Sequence, residues 1–206
     1  MAYADLQTDI ADWLNRSTLT STIPTFITLA ESEIDRRLRT ADTLAIGTGT
    51  TSSNPVDLST DLTRFRQIKA IKIVYQGVDI VLNQVSMDLL WSRYPGTSSG
   101  VPEYYALSGT DLYLDPAPNG EFAWSIQYYQ GLNPLSATNT TNWLLDKHYD
   151  LYLVASQYQA SMYLKHFEAA AGFKQLQENI ISQIKDRDVR DMRGGTARMI
   201  SEVQAV

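Results

Sequence analysis

Apolar residues change their period twice along this chain. Near the start, Tyr3, Leu6, Ile10, Trp13 and Leu14 recur at spacings of three and four, the period of one helical face. Asp5, Asp9 and Asp12 take the opposite face. The segment RSTLTST interrupts the pattern. Thr22 and Pro24 then suit the start of a second helix, where the N–H that proline lacks would be unpaired anyway. Ile23, Ile27, Ala30, Ile34 and Leu38 form the stripe of that helix.

Between residues 41 and 137, glycine, proline, serine and threonine separate short β-branched or aromatic runs. Gln67–Tyr75 and Val78–Asn83 flank Gln76-Gly77, and Glu103–Ser108 and Asp111–Asp115 flank Gly109-Thr110, so two hairpins are predicted. Ser86 suits the cap of a short helix through Trp91. Phe122, Trp124, Ile126 and Tyr128 alternate with Ala123, Ser125, Gln127 and Tyr129, as a strand with one covered face does. Five to seven antiparallel strands are expected here, and Gly47-Thr48-Gly49 reads as a flexible loop.

The helical period returns at residues 138–192. Leu144, His148, Leu151, Ala155, Tyr158 and Met162 predict a core-facing stripe on one long helix. Phe173, Leu176, Ile180, Ile181 and Ile184 predict the inward face of another. Beyond Ile184 the stripe fades into KDRDVRDMR, Gly194-Gly195 stops the helix, and TARMISEVQAV has no period. The predicted fold is α+β. It consists of a helical bundle built from both chain ends (1–40 and 138–192), a small antiparallel β insertion (41–137) and a C-terminal extended arm (193–206).

Composition narrows the function. A chain of 206 residues can bury a sizeable core as one domain. Its net charge of −6 argues against a protein whose task is to wrap nucleic acid. The absence of cysteine removes disulfide frameworks, thiolate catalysis and thiolate zinc sites. The opening MAYADLQTDI has neither the basic nor the apolar stretch of a signal peptide, and no apolar run approaches the roughly 20 residues of a membrane helix. A soluble protein made in a cytosol, without membrane partners, is expected.

Catalytic and cofactor constellations are not visible. His148 and His166, on one unbroken helix, would stand about 27 Å apart at 1.5 Å per residue and could not share a metal ion. No GxSxG elbow or GKS/T loop occurs. Gly47-Thr48-Gly49 opens like a dinucleotide fingerprint, but Ser52 stands where its third glycine belongs. Asp111 and Asp115 sit beside turn residues. No metal, cofactor or catalytic residue is therefore assigned.

Two features point to surfaces instead. Tyr104, Tyr105, Tyr113, Trp124, Tyr128 and Tyr129 crowd the β region. They suit an aromatic core, an interface with a partner or a neighbouring subunit (Tyr104, Tyr105, Trp124 and Tyr128), or a sugar platform. Arg187, Arg190, Arg193 and Arg198 bias the C-terminal end toward positive charge, partly offset by Asp186, Asp188 and Asp191. With Met199, Ile200, Val203 and Val206 they make the arm the candidate docking element.

Three stretches, WLNRSTLTSTIPTFITLAESEIDRRLR, GVPEYYALSGTDLYLDPAP and YYQGLNPLSATNTTNWLLDKHYDLYLVASQYQASMYL, together resemble the head-to-tail adaptor (connector) proteins of tailed bacteriophages. The resemblance runs from Tyr3 to about Leu164. It implies a structural protein of the virion neck, made in the host cytoplasm and lacking enzymatic activity. It also implies a ring, typically a dodecamer, below the portal at the capsid vertex. That ring would extend the DNA channel, let double-stranded DNA pass without specific binding, and present a platform to a tail or nozzle protein. The portal protein is then the partner of the docking arm. The residues leave two alternatives: a receptor- or carbohydrate-binding module, and a cell-wall glycan hydrolase.

Overall fold

The computed structural model describes residues 2–93 and 99–192. In chain order the elements are α1 (Tyr3–Leu14), α2 (Ile23–Arg37), β1 (Leu44–Thr51), β2 (Val56–Asp57), β3 (Phe65–Tyr75), β4 (Val78–Val81), β5 (Asn83–Gln84), α3 (Met87–Arg93), β6 (Ser99–Gly100), β7 (Tyr104–Ser108), β8 (Asp111–Asp115), β9 (Ala117–Pro118), β10 (Phe122–Gln130), α4 (Trp143–Lys147), α5 (Tyr149–Tyr163) and α6 (Phe167–Met192). They form two compact units. One comprises the described residues up to Asp42 and those from Leu132 to Met192, and the other lies within Thr43–Gly131.

The expectation of a helical bundle carrying a small antiparallel β insertion is overturned. Among the described residues there are ten strands in three sheets, so much of the chain is a sheet-rich domain in its own right. Nor are the sheets purely antiparallel: β5 pairs with β7, and β6 with β9, in parallel. The four strands of two residues each are too short to show a period, which is why the sequence undercounts them.

In the helical unit, α5 is central and packs on α1, α2 and α6. Every residue from Leu151 to Gln157 is buried, as in a helix covered on all sides. The stripe of α2 is buried as its spacing predicts: Ile23, Ile27, Ala30, Ile34 and Leu38 all lie in the core. On α1, Leu6 and Ile10 are buried, but Trp13 is 60% exposed and does not belong to the core stripe. The Asp5 carboxylate accepts a hydrogen bond from the Ala2 N–H at 2.7 Å and closes the first turn of α1.

Two expectations about the later helices need correction. The long helix is broken at His148, whose φ of −138° and ψ of 55° are not helical, so His148 stands at the junction of α4 and α5. Asn142 caps α4 by accepting from the Leu145 N–H at 2.9 Å. At the far end of the expected stripe Met162 is 42% exposed. On α6 the buried positions are Ala170, Gln177, Ile181 and Ile184, while Leu176 is 51% exposed. A polar residue, Gln177, occupies the inward position, so a search for apolar residues selects its neighbour instead.

A buried polar network joins the two sequence-distant parts of this unit. Glu31 on α2 is 5% exposed, and its Oε1 accepts from the Leu135 N–H and from the Tyr152 hydroxyl, both at 2.8 Å. The Asn142 amide donates to the Tyr152 oxygen and to the Asn133 carbonyl, each at 2.7 Å. One turn further along α2, Asp35 accepts from the Leu132 N–H at 2.7 Å. Burial, reinforced by the charge of Glu31, pushes the Tyr152 phenol far above its ordinary pKa, so the hydroxyl stays protonated and donates.

The sheet unit has two four-stranded sheets, ordered β1-β10-β3-β4 and β2-β8-β7-β5. Ile68, Ile71, Ile73, Trp124 and Ile126 from the first share one core with Val56, Tyr105, Leu112 and Leu114 from the second. Both predicted hairpins form. Gln76 (φ 50°) and Gly77 (φ 78°) make the two-residue turn between β3 and β4. The predicted loop at Gly47-Thr48-Gly49 is instead strand β1, paired with β10 in unbroken register from Leu44↔Tyr129 to Thr51↔Phe122. Its glycines answer to packing. A Cβ on Gly47 would lie 2.1 Å from a Leu62 methyl, and one on Gly49 would lie 2.5 Å from the Trp124 ring.

Tyr152→Phe is expected to lower unfolding free energy by about 1–3 kcal/mol, because it removes one hydrogen bond from the buried Glu31 carboxylate and one from the Asn142 amide. Urea denaturation measures this, and a loss below the error of the fit would show that the network is dispensable. Gly49→Ala is expected to cost about 1–3 kcal/mol through overpacking against a rigid ring, measurable in the same way.

Candidate interaction surfaces

The helix α6 is held to α2 by a cluster of charges. Arg37 makes a two-pronged pair with Glu178, and Lys174 pairs with Glu33. Lys174 also lies 3.5 Å from Glu178, and Arg37 lies 3.7 Å from Glu33. The hydrogen bonds from Arg37 pull the Glu178 carboxyl down to about 2. This clasp ties the middle of α6 to α2, and the basic residues of the last turns lie further along the same helix.

In those turns Arg187 and Arg190 are exposed. Arg187 lies 3.6 Å from Asp191, and the Arg190 Nε donates to the Asp186 carbonyl at 3.2 Å. Asp188 is turned the other way and accepts from the Ala41 N–H at 2.6 Å. A cleft of about 310 Å³ opens beside them, lined by Asp42, Lys147, His148, Ile184 and Arg187 among others. Burial pushes the His148 imidazole below its ordinary pKa, and its ring meets Trp143 edge-on at 6.4 Å. Arg193, Arg198, Met199, Ile200, Val203 and Val206 lie outside the described residues.

The aromatic candidates do not form a surface. Tyr105, Trp124 and Tyr128 are each less than 5% exposed and belong to the core of the sheet unit, while Tyr104 is half-buried. The tail-facing or inter-subunit role considered for Tyr105, Trp124 and Tyr128, and a sugar platform built on them, both lack exposed rings. Asp111 and Asp115 lie four residues apart on one strand, β8. That is about 13 Å at 3.3 Å per residue, beyond the roughly 5–9.5 Å that glycoside hydrolysis requires. His166 stands between α5 and α6, and its backbone N–H donates to the Ser161 carbonyl at 2.9 Å. Among the described residues no group of three or more histidine, aspartate or glutamate side chains is placed to hold a metal ion.

Sequence patterning missed a different feature, the open edges of the sheet β1-β10-β3-β4. On its outer face Thr48, Ser125, Lys72 and Val81 stand in one cross-strand row, followed by Thr50, Ala123, Val74 and Asp79 in the next. Lys72 and Asp79 pair with each other at 2.5 Å. Ile46, Val78 and Val81 are 70%, 63% and 65% exposed. The signal available in the sequence was the uncharged run LAIGTGTT, which looks like a loop until its pairing with β10 is known.

A family model described as SU10 adaptor protein matches residues 1–200. No curated protein matches the chain.

The pH dependence of the α2–α6 clasp follows from Glu178. Its folded pKa of about 2 lies below the ordinary 4.5, so its contribution is complete above pH 4.5 and disappears as pH falls through 2. Because the carboxylate is 43% exposed, solvent screening keeps that contribution at about 1 kcal/mol or less. The melting-temperature difference between wild type and Glu178→Gln should be constant above pH 5 and should vanish between about 4.5 and 2. A difference that persists unchanged at pH 2 would assign it to something other than this ion pair.

Proposed function

The chain belongs to the SU10 adaptor protein family, and on that premise we propose that it is the head-to-tail adaptor of a tailed bacteriophage, assembled as a ring below the portal. Family membership makes it a phage structural adaptor, a virion component that acts through contacts with other phage structural proteins. The match over residues 1–200 is the observation that carries this reading. In the virion neck such a ring extends the DNA channel and receives the tail or nozzle protein on its far side. A structural role also fits a molecule whose chemical resources lie in surfaces, with Asp111 and Asp115 too far apart to act as a catalytic pair.

The charge supports the channel reading. Each copy carries −6, and a ring multiplies that figure. A channel of this sign repels phosphates and lets DNA slide without gripping it. The portal contact falls to the C-terminal end. Arg187 and Arg190 steer it toward an acidic portal surface, joined by Arg193 and Arg198, and Met199, Ile200, Val203 and Val206 supply apolar anchors. Weak single arms gain strength when a ring presents many of them at once.

Cryo-electron microscopy of the neck of a virion containing this chain tests the assignment, with a ring between portal and tail as the expected outcome. Truncation after Arg193 should leave the melting temperature unchanged and abolish loading onto portal-bearing heads. Normal occupancy of the truncated chain would move the docking function to the helical body.

A further inference from the structure

We propose that the sheet β1-β10-β3-β4 continues from one copy of this chain to the next, with β1 of one copy hydrogen-bonding along β4 of its neighbour. The proposal rests on the adaptor-ring reading and names the contact that builds the ring. Among the described residues β1 and β4 each have a single neighbour in the sheet. Each therefore presents a row of outward N–H and C=O groups that can template another strand.

The guards that normally blunt such an edge are missing from β1. Its eight residues, LAIGTGTT, include no charge and no proline. Its register with β10 is unbroken, whereas the pairing of β10 with β3 carries two irregularities. Long, regular, uncharged edges are what folded proteins avoid unless a strand is meant to dock there. In a chain of net charge −6, this edge is also where a second acidic copy approaches without like-charge repulsion.

The opposite edge is suited to receive it. The single charge on β4, Asp79, is already paired with Lys72. Val78 and Val81 are exposed, as is Ile46 on β1. A groove of about 450 Å³ beside β4 is lined by Tyr75, Ile80, Val81, Asn83, Val101 and Glu103. A second copy is the occupant that satisfies both edges at once, since each chain brings one donor edge and one receiving edge. Such a contact is heterologous, and repeated from copy to copy it builds a ring when the rotation closes. A self-paired β1–β1 dimer would leave both β4 edges open.

Cysteine trapping tests this, because the wild-type chain has no cysteine. Val81→Cys is combined in turn with Ile46→Cys, Thr48→Cys and Thr50→Cys, which scan the outer face of β1. Within one chain the two edges are three strand spacings apart, about 14 Å, which a disulfide cannot span, so any bond formed joins two copies. Virions carrying each variant are oxidised, denatured and run on non-reducing gels. The expected result is a ladder of covalent oligomers from at least one pair, several-fold stronger than from any single-cysteine chain or from a Trp13→Cys, Leu29→Cys control. Adding Ile46→Lys to a Thr48 or Thr50 pair should suppress the ladder several-fold without changing the melting temperature.

Monomer alone from all three pairs, or dimers from β1 single cysteines alone, would overturn the edge contact. The broader reading is checked separately by mass spectrometry of wild-type virions. Absence of the chain there defeats the adaptor assignment, whereas presence without a ladder defeats the edge contact alone.

Discussion

One buried carboxylate organises the helical unit. Removing the charge of Glu31 from water is costly, and the cost is met by hydrogen bonds whose donors come from elsewhere in the chain. Leu135 supplies a backbone N–H and Tyr152 a hydroxyl, so these two hydrogen bonds form only when α2, the segment entering α4, and α5 are assembled together. Asn142 extends the constraint. It orients the Tyr152 hydroxyl, caps α4 and holds the Asn133 carbonyl. Apolar side chains could pack several ways around α5, but this network accepts one register. The uninterrupted burial of Leu151–Gln157 follows from that placement.

The remaining features of the unit fall into line behind it. With α5 enclosed, α6 must bury a stripe of its own, and it does so through Ala170, Gln177, Ile181 and Ile184. The clasp of Arg37, Glu178, Lys174 and Glu33 then links α6 to α2 on the solvent side. Surface ion pairs of this kind add little stability each. The packing of α6 on α5, together with the continuity of the helix, places Arg187 and Arg190.

In the sheet unit the aromatic residues are spent on the core. Trp124, Tyr128, Phe122 and Tyr105 lie within it, so these rings are not available to partners, and the uncharged strand β1 is left at the edge of its sheet. Gly47 and Gly49 belong to the same arrangement. They let β1 settle close over Leu62 and Trp124, and the strand so placed is long, regular and free of charge. Tight packing on the inside thus leaves an edge on the outside that can be extended by another strand.

The sequence by itself determined the elements whose signal is local. The stripe of α2, the two hairpins at Gln76-Gly77 and Gly109-Thr110, and the alternation along β10 each follow from the chemistry of neighbouring residues. The family resemblance was legible for the same reason, since it rests on contiguous stretches. Tertiary structure alone decided what depends on distant partners. Gly47-Thr48-Gly49 is a strand because β10 supplies its hydrogen bonds. Gln177 faces inward in place of Leu176 because its place in the helix packing, and not its polarity, sets its direction. The helix breaks at His148 although its spacing continues the apolar stripe. The two-residue strands exist only through their pairing. Periodicity records which residues are apolar, whereas burial is decided by where the other elements come to rest.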